Sequence, residues 1–278
     1  MYRSLRRLVR EALNEDIGEE DITTNRTVPV DALCEARLLA KQDGVLSGIE
    51  VFRVVFDTLR AGITDWGALS DGEHFSKGDE IATFKGFTRA VLTGERTAMN
   101  FVQHLCGVAT LTVKYKEAVR GLKTKICDTR KTTPLMRRLE KQAVVDGGGM
   151  NHRHTLFNGV VIKENHIVAA GGVANAVERA AEGTHHLMKI EVEVSTLEEF
   201  DEALAAGADV IMLDNMSIED MRVAVERTKD VKICLEASGN MTLERVREVA
   251  ETGVHIISVG ALTHSAPSVD LSLLIQNL

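Results

Sequence analysis

Apolar residues recur along the chain in two rhythms. Residues 2–14 carry Leu5, Leu8, Val9 and Leu13 at three- and four-residue spacing, which predicts an amphipathic helix. Short runs broken by glycine follow, ARLLAKQDGVLSG and then GDEIATFKG, and predict the strands of a small α+β domain. The stretch from Thr93 to Val113 is apolar around most of its circumference and predicts a long buried helix, interrupted at Gly107, that connects this domain to the next. Beyond it the rhythm changes. β-branched apolar runs at 125–129, 159–164, 189–194, 209–215, 232–238 and 256–261 alternate with helical segments such as VANAVERAAEG, TLEEFDEALAAG, IEDMRVAVERT and LERVREVAETG. Ser195 with Glu198 and Ser217 with Asp220 predict capping boxes, and glycines close several of the helices. Strands that are apolar on both faces, alternating with helices, imply a covered parallel sheet. Six such units favour a closed barrel over an open sheet, and no GxGxxG follows the first strand.

In a barrel of this kind the chemistry lies at the C-terminal ends of the strands. Those ends read Asp128-Thr129-Arg130-Lys131, Lys163-Glu164, Glu193, Asp214-Asn215, Glu236 with Ser238-Gly239-Asn240, and Gly260. A single polar strand end is ordinary; six in register are not explained by solvation alone. Arg130, Lys131, Lys163 and Arg153 gather on the early strands, and Glu193 and Asp214 follow on the next two. Arg137 and Arg138 fall on a helix, where a solvated face is the expected role.

Charge sharpens this picture. The 278 residues carry a net charge of −8, which argues against a general nucleic-acid or membrane-surface binder, so a local cluster of cations must answer to small anions. Arg offers a planar fork for carboxylate or phosphate, and Lys a point charge. Carboxylates facing them suit Mg²⁺ or sugar hydroxyls. The glycines near 239 and 260 suit a phosphate cradle. The four cysteines are far apart and form no CxxC pair; reduced thiols, no secretory signal and a cytoplasmic location are expected. His152 and His154 have a metal-like HxH spacing with no third ligand in sequence, so His152 reads better as a substrate donor beside Arg153. A rival reading makes Lys163 the Schiff-base amine of an aldolase-like barrel.

The segments GERTAMNFVQHLCGVAT (94–110), DTRKTTPLMR (128–137), EKQAVVDGGGMNHR (140–153), IKENHI (162–167), EVEV (191–194), LDN (213–215), LEASGN (235–240) and SVGALTHSAPSVDLSL (258–273) resemble quinolinate phosphoribosyltransferase (nicotinate-nucleotide pyrophosphorylase, carboxylating). The resemblance implies an N-terminal open α/β sandwich over residues 1–105 and an incomplete, seven-stranded α/β barrel over 106–265. One strand would then lie outside the six runs, and the tail 266–278 would return to the first domain. It implies transfer of the phosphoribosyl group of 5-phosphoribosyl-1-pyrophosphate to quinolinate with Mg²⁺, giving nicotinate mononucleotide, pyrophosphate and CO₂ in NAD synthesis. Arg130, His152, Arg153 and Lys163 would surround the quinolinate carboxylates, with Lys131 between the two substrates and Thr129 and Thr132 beside it. Glu193 and Asp214 would hold the ribose hydroxyls and the metal. Ser238, Gly239, Asn240, Val259, Gly260 and Ala261 would take the 5-phosphate. Arg96 would reach into the site of the partner in a homodimer.

Overall fold

A computed structural model describes residues 2–278. In chain order the elements are α1 (Tyr2–Ile17), α2 (Ile22–Thr27), β1 (Leu33–Ala40), β2 (Gly44–Val45), α3 (Ile49–Thr58), β3 (Thr64–Ala68), β4 (His74–Phe75), β5 (Glu80–Phe87) and α4 (Thr88–Ala118). Then come β6 (Lys125–Cys127), α5 (Arg137–Asp146), β7 (Val160–Ile162), α6 (Glu164–Ala170), α7 (Val173–Gly183), β8 (Ile190–Val194), α8 (Leu197–Ala205) and β9 (Val210–Asp214). The chain ends with α9 (Ile218–Arg227), β10 (Cys234–Ser238), α10 (Leu243–Glu251), β11 (Ile256–Ser258), α11 (Ala261–His264) and β12 (Leu271–Asn277). These fall into two compact units: the chain up to Leu111 with Pro134–Gly148 and Ala266–Leu278, and Thr112–Thr133 with Gly149–Ser265.

The first unit is an antiparallel sheet in the order β12-β1-β5-β3 with helices packed on it. Alternate residues of β1, such as Ala36 and Leu38, are fully buried, as a half-covered strand requires. Phe52 and Phe56 of α3 meet Phe84 of β5 with ring centroids 6.3 and 5.1 Å away, and all three rings are excluded from water. Truncating any one of them would cost about 3–5 kcal/mol. Helix α5 is tied to this unit by polar bonds: His104 Nε2 lies 2.8 Å from Glu140 Oε1, and Ser47 Oγ donates to Asp146 Oδ2 at 2.7 Å. Helix α4 runs unbroken through Gly107, contrary to the expected interruption. A Cβ there would sit 2.3 Å from Pro267 O, so the glycine serves close packing of the tail rather than a break.

The second unit is a parallel sheet in the order β6-β11-β10-β9-β8-β7, built from all six predicted runs. A seventh, partial position is held by Met150, which makes one parallel bridge to Cys127 at the free edge of β6. Two residues later His152 contacts Glu191 on β8, beside the opposite edge strand β7, so the sheet curls round to an incomplete barrel. Ile211, Leu213, Leu235, Ala237 and Ile257 are buried on the face under the helices. The helix starts follow the sequence signals with one shift: Ser217 caps α9 as expected, but the cap of α8 is Thr196, which accepts from Glu199 N, while Ser195 bonds the Glu199 side chain. No helix among the described residues is long and apolar enough to cross a membrane.

Candidate active site

Because strand side chains alternate, every second residue of the second unit's sheet turns to the face opposite the helices. That face carries Glu191 and Glu193 on β8, Met212 and Asp214 on β9, and Glu236 and Ser238 on β10, with Glu193, Met212 and Glu236 at one level. Lys163, one step beyond the Ile162–Val192 pair, forms an ion pair with Glu193. Its main chain is fixed by His166, whose Nδ1 accepts from Lys163 N at 3.0 Å. The two strand-end residues, read from the sequence as serving different substrates, are in direct contact.

The loop after β6 is equally tight. Lys131 N donates to Thr129 Oγ1 at 3.0 Å, Thr132 N to Arg130 O at 3.0 Å, and Thr263 Oγ1 to Lys131 O at 2.6 Å. The Lys131 stem passes over Gly260, where an added Cβ would meet its Cδ at 3.0 Å. Lys131 and the Gly260–Ala261 turn thus share one corner. Val259 is buried and its N–H already donates to Cys127 O at 2.9 Å, so it offers an anion no main-chain donor.

Arg153 is half-buried and its Nη1 donates to Gly159 O at 2.8 Å. Its pKa is lowered, first by burial and then by the adjacent positive charge of Arg130. Two half-buried guanidiniums close enough to affect each other would both be favoured by an anion bound beside them. His152 stands beside them, its N–H donating to the buried Asp128 Oδ1 at 2.8 Å. Both ring nitrogens are engaged inside the protein: Nδ1 accepts from Arg153 N at 2.8 Å, and Nε2 lies 3.0 Å from Glu191 Oε2. Glu236 follows behind, its carboxyl pushed up to about 7 by burial and by the charge of Glu191.

At the late strands, Asn215 and Asn240 adopt left-handed backbone angles, φ 54° and 47°. Asn240 Nδ2 donates to Asn215 Oδ1, and Asn215 Nδ2 donates to Asp214 Oδ2, each at 3.0 Å, so an amide chain orients the Asp214 carboxylate. Gly239, at φ +86°, has no room for a side chain: its Cβ would fall 2.3 Å from Asn215 Cγ. Arg245 ties this loop down through Gly239 O and Met216 O. Arg96 belongs to the first unit, exposed on α4.

Glu193 and Asp214 are half-buried oxygen donors on adjacent strands, a pair that suits Mg²⁺, which takes one or two carboxylates and completes its shell with water and substrate phosphates. His152, Glu191 and Glu236 are the one trio of potential ligand groups close enough to share an ion among the described residues. Their imidazole nitrogen and deep burial suit Mg²⁺ less well. A cavity of about 620 Å³ opens at the opposite, N-terminal ends of β6, β10 and β11, lined by Lys123, Lys125 and His255 among others, and none of the strand-end residues above lines it.

Asn215, His166, Thr263 and Glu191 have no role assigned from the sequence. Asn215 carried a usable signal, an Asn directly after a strand carboxylate and level with a glycine loop, whereas His166 and Thr263 act through the main chain, which sequence does not display.

The description of the quinolinate phosphoribosyl transferase N-terminal domain matches residues 21–106, and that of the C-terminal domain residues 108–274. A probable nicotinate-nucleotide pyrophosphorylase (carboxylating) of Bacillus subtilis is 43% identical over 272 residues, 97% of this chain and 92% of that one. The crystal structure of NadC from Streptococcus pyogenes superposes with a TM-score of 0.94 at 38% identity, covering 100% of this chain and 98% of that one. The nicotinate-nucleotide pyrophosphorylase from Francisella tularensis gives 0.92 at 40% identity, over 99% and 97%. With both domain descriptions matched end to end, the chain belongs to the quinolinate phosphoribosyltransferase family.

Proposed function

We propose that this polar barrel face is where the chain, a decarboxylating quinolinate phosphoribosyltransferase, joins quinolinate to the ribose of 5-phosphoribosyl-1-pyrophosphate, giving nicotinate mononucleotide, pyrophosphate and CO₂. The observation that carries the site assignment is the gathering of cations at these strand ends: Arg153, its guanidinium held by Gly159 O and its pKa lowered first by burial and then by the charge of Arg130, and Lys163, ion-paired to Glu193. Adjacent carboxylates of a pyridine ring would neutralise such a group, each guanidinium taking one in a forked grip.

Held there, the pyridine nitrogen is the nucleophile and no protein nucleophile is needed. It attacks the anomeric carbon as the bond to pyrophosphate breaks, and positive charge grows on the ribose. Glu193 and Asp214 stabilise that charge and accept from the ribose hydroxyls, and the amide chain from Asn240 through Asn215 keeps Asp214 aimed. Lys131, anchored by Thr263, offers its ammonium to the departing pyrophosphate. Mg²⁺, held by Glu193 and Asp214 with substrate oxygens, would neutralise phosphate charge in the same place. Once ribosylated, the ring nitrogen draws electrons from the neighbouring carbon, so the carboxylate there leaves as CO₂ and the carbon takes up a proton. The Ser238–Asn240 loop and the Gly260–Ala261 turn would bind the 5-phosphate.

The Schiff-base alternative needs a free Lys163 amine, whereas that ammonium is engaged by Glu193. We also place Arg96 across a homodimer interface, a reading supported by its exposed position on α4, and the enzyme in the cytoplasm, supported by four cysteines with no disulfide among them. Arg153→Ala and Lys163→Ala should each lose most turnover while keeping wild-type circular dichroism; full activity in either variant removes that residue from the site.

A further inference from the structure

Glu191 and Glu236 take no part in the chemistry just derived, yet they are 7% and 2% exposed and lie beneath the residues that grip the anion. Each keeps one carboxyl oxygen, Oε1, in the interior without a hydrogen-bond partner. Two buried carboxylates at that depth are costly unless they do something for the groups around them. What lies against them is the His152 ring, with Nε2 3.0 Å from Glu191 Oε2 and 3.8 Å from Glu236 Oε1.

The two ring nitrogens are distinguishable. Arg153 N–H donates to Nδ1, so Nδ1 carries no proton. The hydrogen-bond pattern then assigns the neutral tautomer with hydrogen on Nε2, directed at Glu191. A carboxylate behind an imidazole N–H is the usual device for fixing tautomer and ring orientation. Here the consequence passes to the neighbouring residue. The fixed ring holds the Arg153 main chain at Nδ1, Asp128 holds the His152 main chain, and Gly159 O holds the Arg153 guanidinium. In this arrangement His152 has no ring N–H to give a substrate; its contribution is to fix where Arg153 stands.

We propose that Glu191 is a positioning residue for quinolinate binding: through the His152 ring it locks the Arg153 backbone, with Glu236 as a second, more distant carboxyl beside Nε2. The proposal rests on Arg153 being a quinolinate ligand, as read above.

Ring nitrogen shifts from long-range proton–nitrogen spectra of histidine-labelled protein, with His152 assigned by its Asn variant, test it directly. The wild type should show His152 protonated at Nε2 and bare at Nδ1; the reverse pattern overturns the proposal without any further variant. In Glu191→Leu the His152 ring should lose its single tautomer, and KM for quinolinate should rise about tenfold or more with little change in kcat or in KM for phosphoribosyl pyrophosphate. Glu191→Gln, whose amide oxygen still accepts from Nε2–H, should recover most of that loss. An unchanged tautomer and unchanged KM in the Leu variant overturn the proposal. Direct titration of quinolinate separates the two levels. If Arg153→Ala binds quinolinate like wild type, the site reading itself fails. If it loses binding while Glu191→Leu keeps both binding and tautomer, only the present proposal fails.

Discussion

Replacing Glu236 by Gln should make the protein more stable at alkaline pH, and the structure sets both sign and size. The wild-type carboxyl is raised from 4.5 to about 7, first by burial and then by Glu191. A raised carboxyl favours the protonated form in the folded state. Its contribution is therefore complete below pH 4.5 and is lost as pH rises through about 7, where the unfolded chain has already released the proton. At about 1.4 kcal/mol per pH unit, the loss between about pH 5 and about pH 8.5 comes to about 2–3 kcal/mol. A glutamine fills the same space and has no proton to release, so it escapes this loss. Urea unfolding at the two pH values checks it, followed by far-ultraviolet circular dichroism because the single tryptophan, Trp66, lies on β3 of the other unit. The advantage of the variant over wild type should grow by about 2–3 kcal/mol from the lower to the higher pH. A difference that does not change with pH refutes the picture of a Glu236 carboxyl raised by burial and by the charge of Glu191.

Gly239→Ala should abolish most activity, since its Cβ would displace Asn215 from Asp214; kinetics should show a raised KM for phosphoribosyl pyrophosphate, and wild-type kinetics would refute the amide-chain account. Gly107→Ala should lower the melting temperature, because the added carbon meets Pro267 O at 2.3 Å, while a variant as stable as wild type would mean the tail can shift freely. Mixing Arg96→Ala with Lys163→Ala chains should restore about a quarter of wild-type activity, as half of random dimers are mixed and each has one intact site. No recovery would remove Arg96 from the partner's site.

The six strands were legible because each is a short run rich in β-branched apolar residues, with a clear amphipathic helix between most neighbours. Two boundaries differ from the sequence reading, one for a distant reason and one for a local one. Gly107 resembles a helix break but answers to Pro267, distant in sequence, and Ser195 competes with Thr196 for the same helix start. In the site, the strand-end charges were legible in the sequence, but the ion pair between Lys163 and Glu193 was not. What sequence could not display is the reach of His152 back to Glu191, which depends on the Met150 bridge bringing a loop to the open side of the sheet. The same holds for Val259, which the family resemblance assigns to the 5-phosphate but whose N–H is bonded to Cys127 O.

The central claim is that this site couples ribosyl transfer to loss of a carboxylate. Quinolinate labelled at the carboxyl next to the ring nitrogen, incubated with the enzyme, phosphoribosyl pyrophosphate and Mg²⁺, should release one labelled CO₂ for each mononucleotide formed. Nicotinate, lacking that carboxylate, should give no product. Mononucleotide formed from nicotinate, or formed from quinolinate without stoichiometric CO₂, would contradict the account.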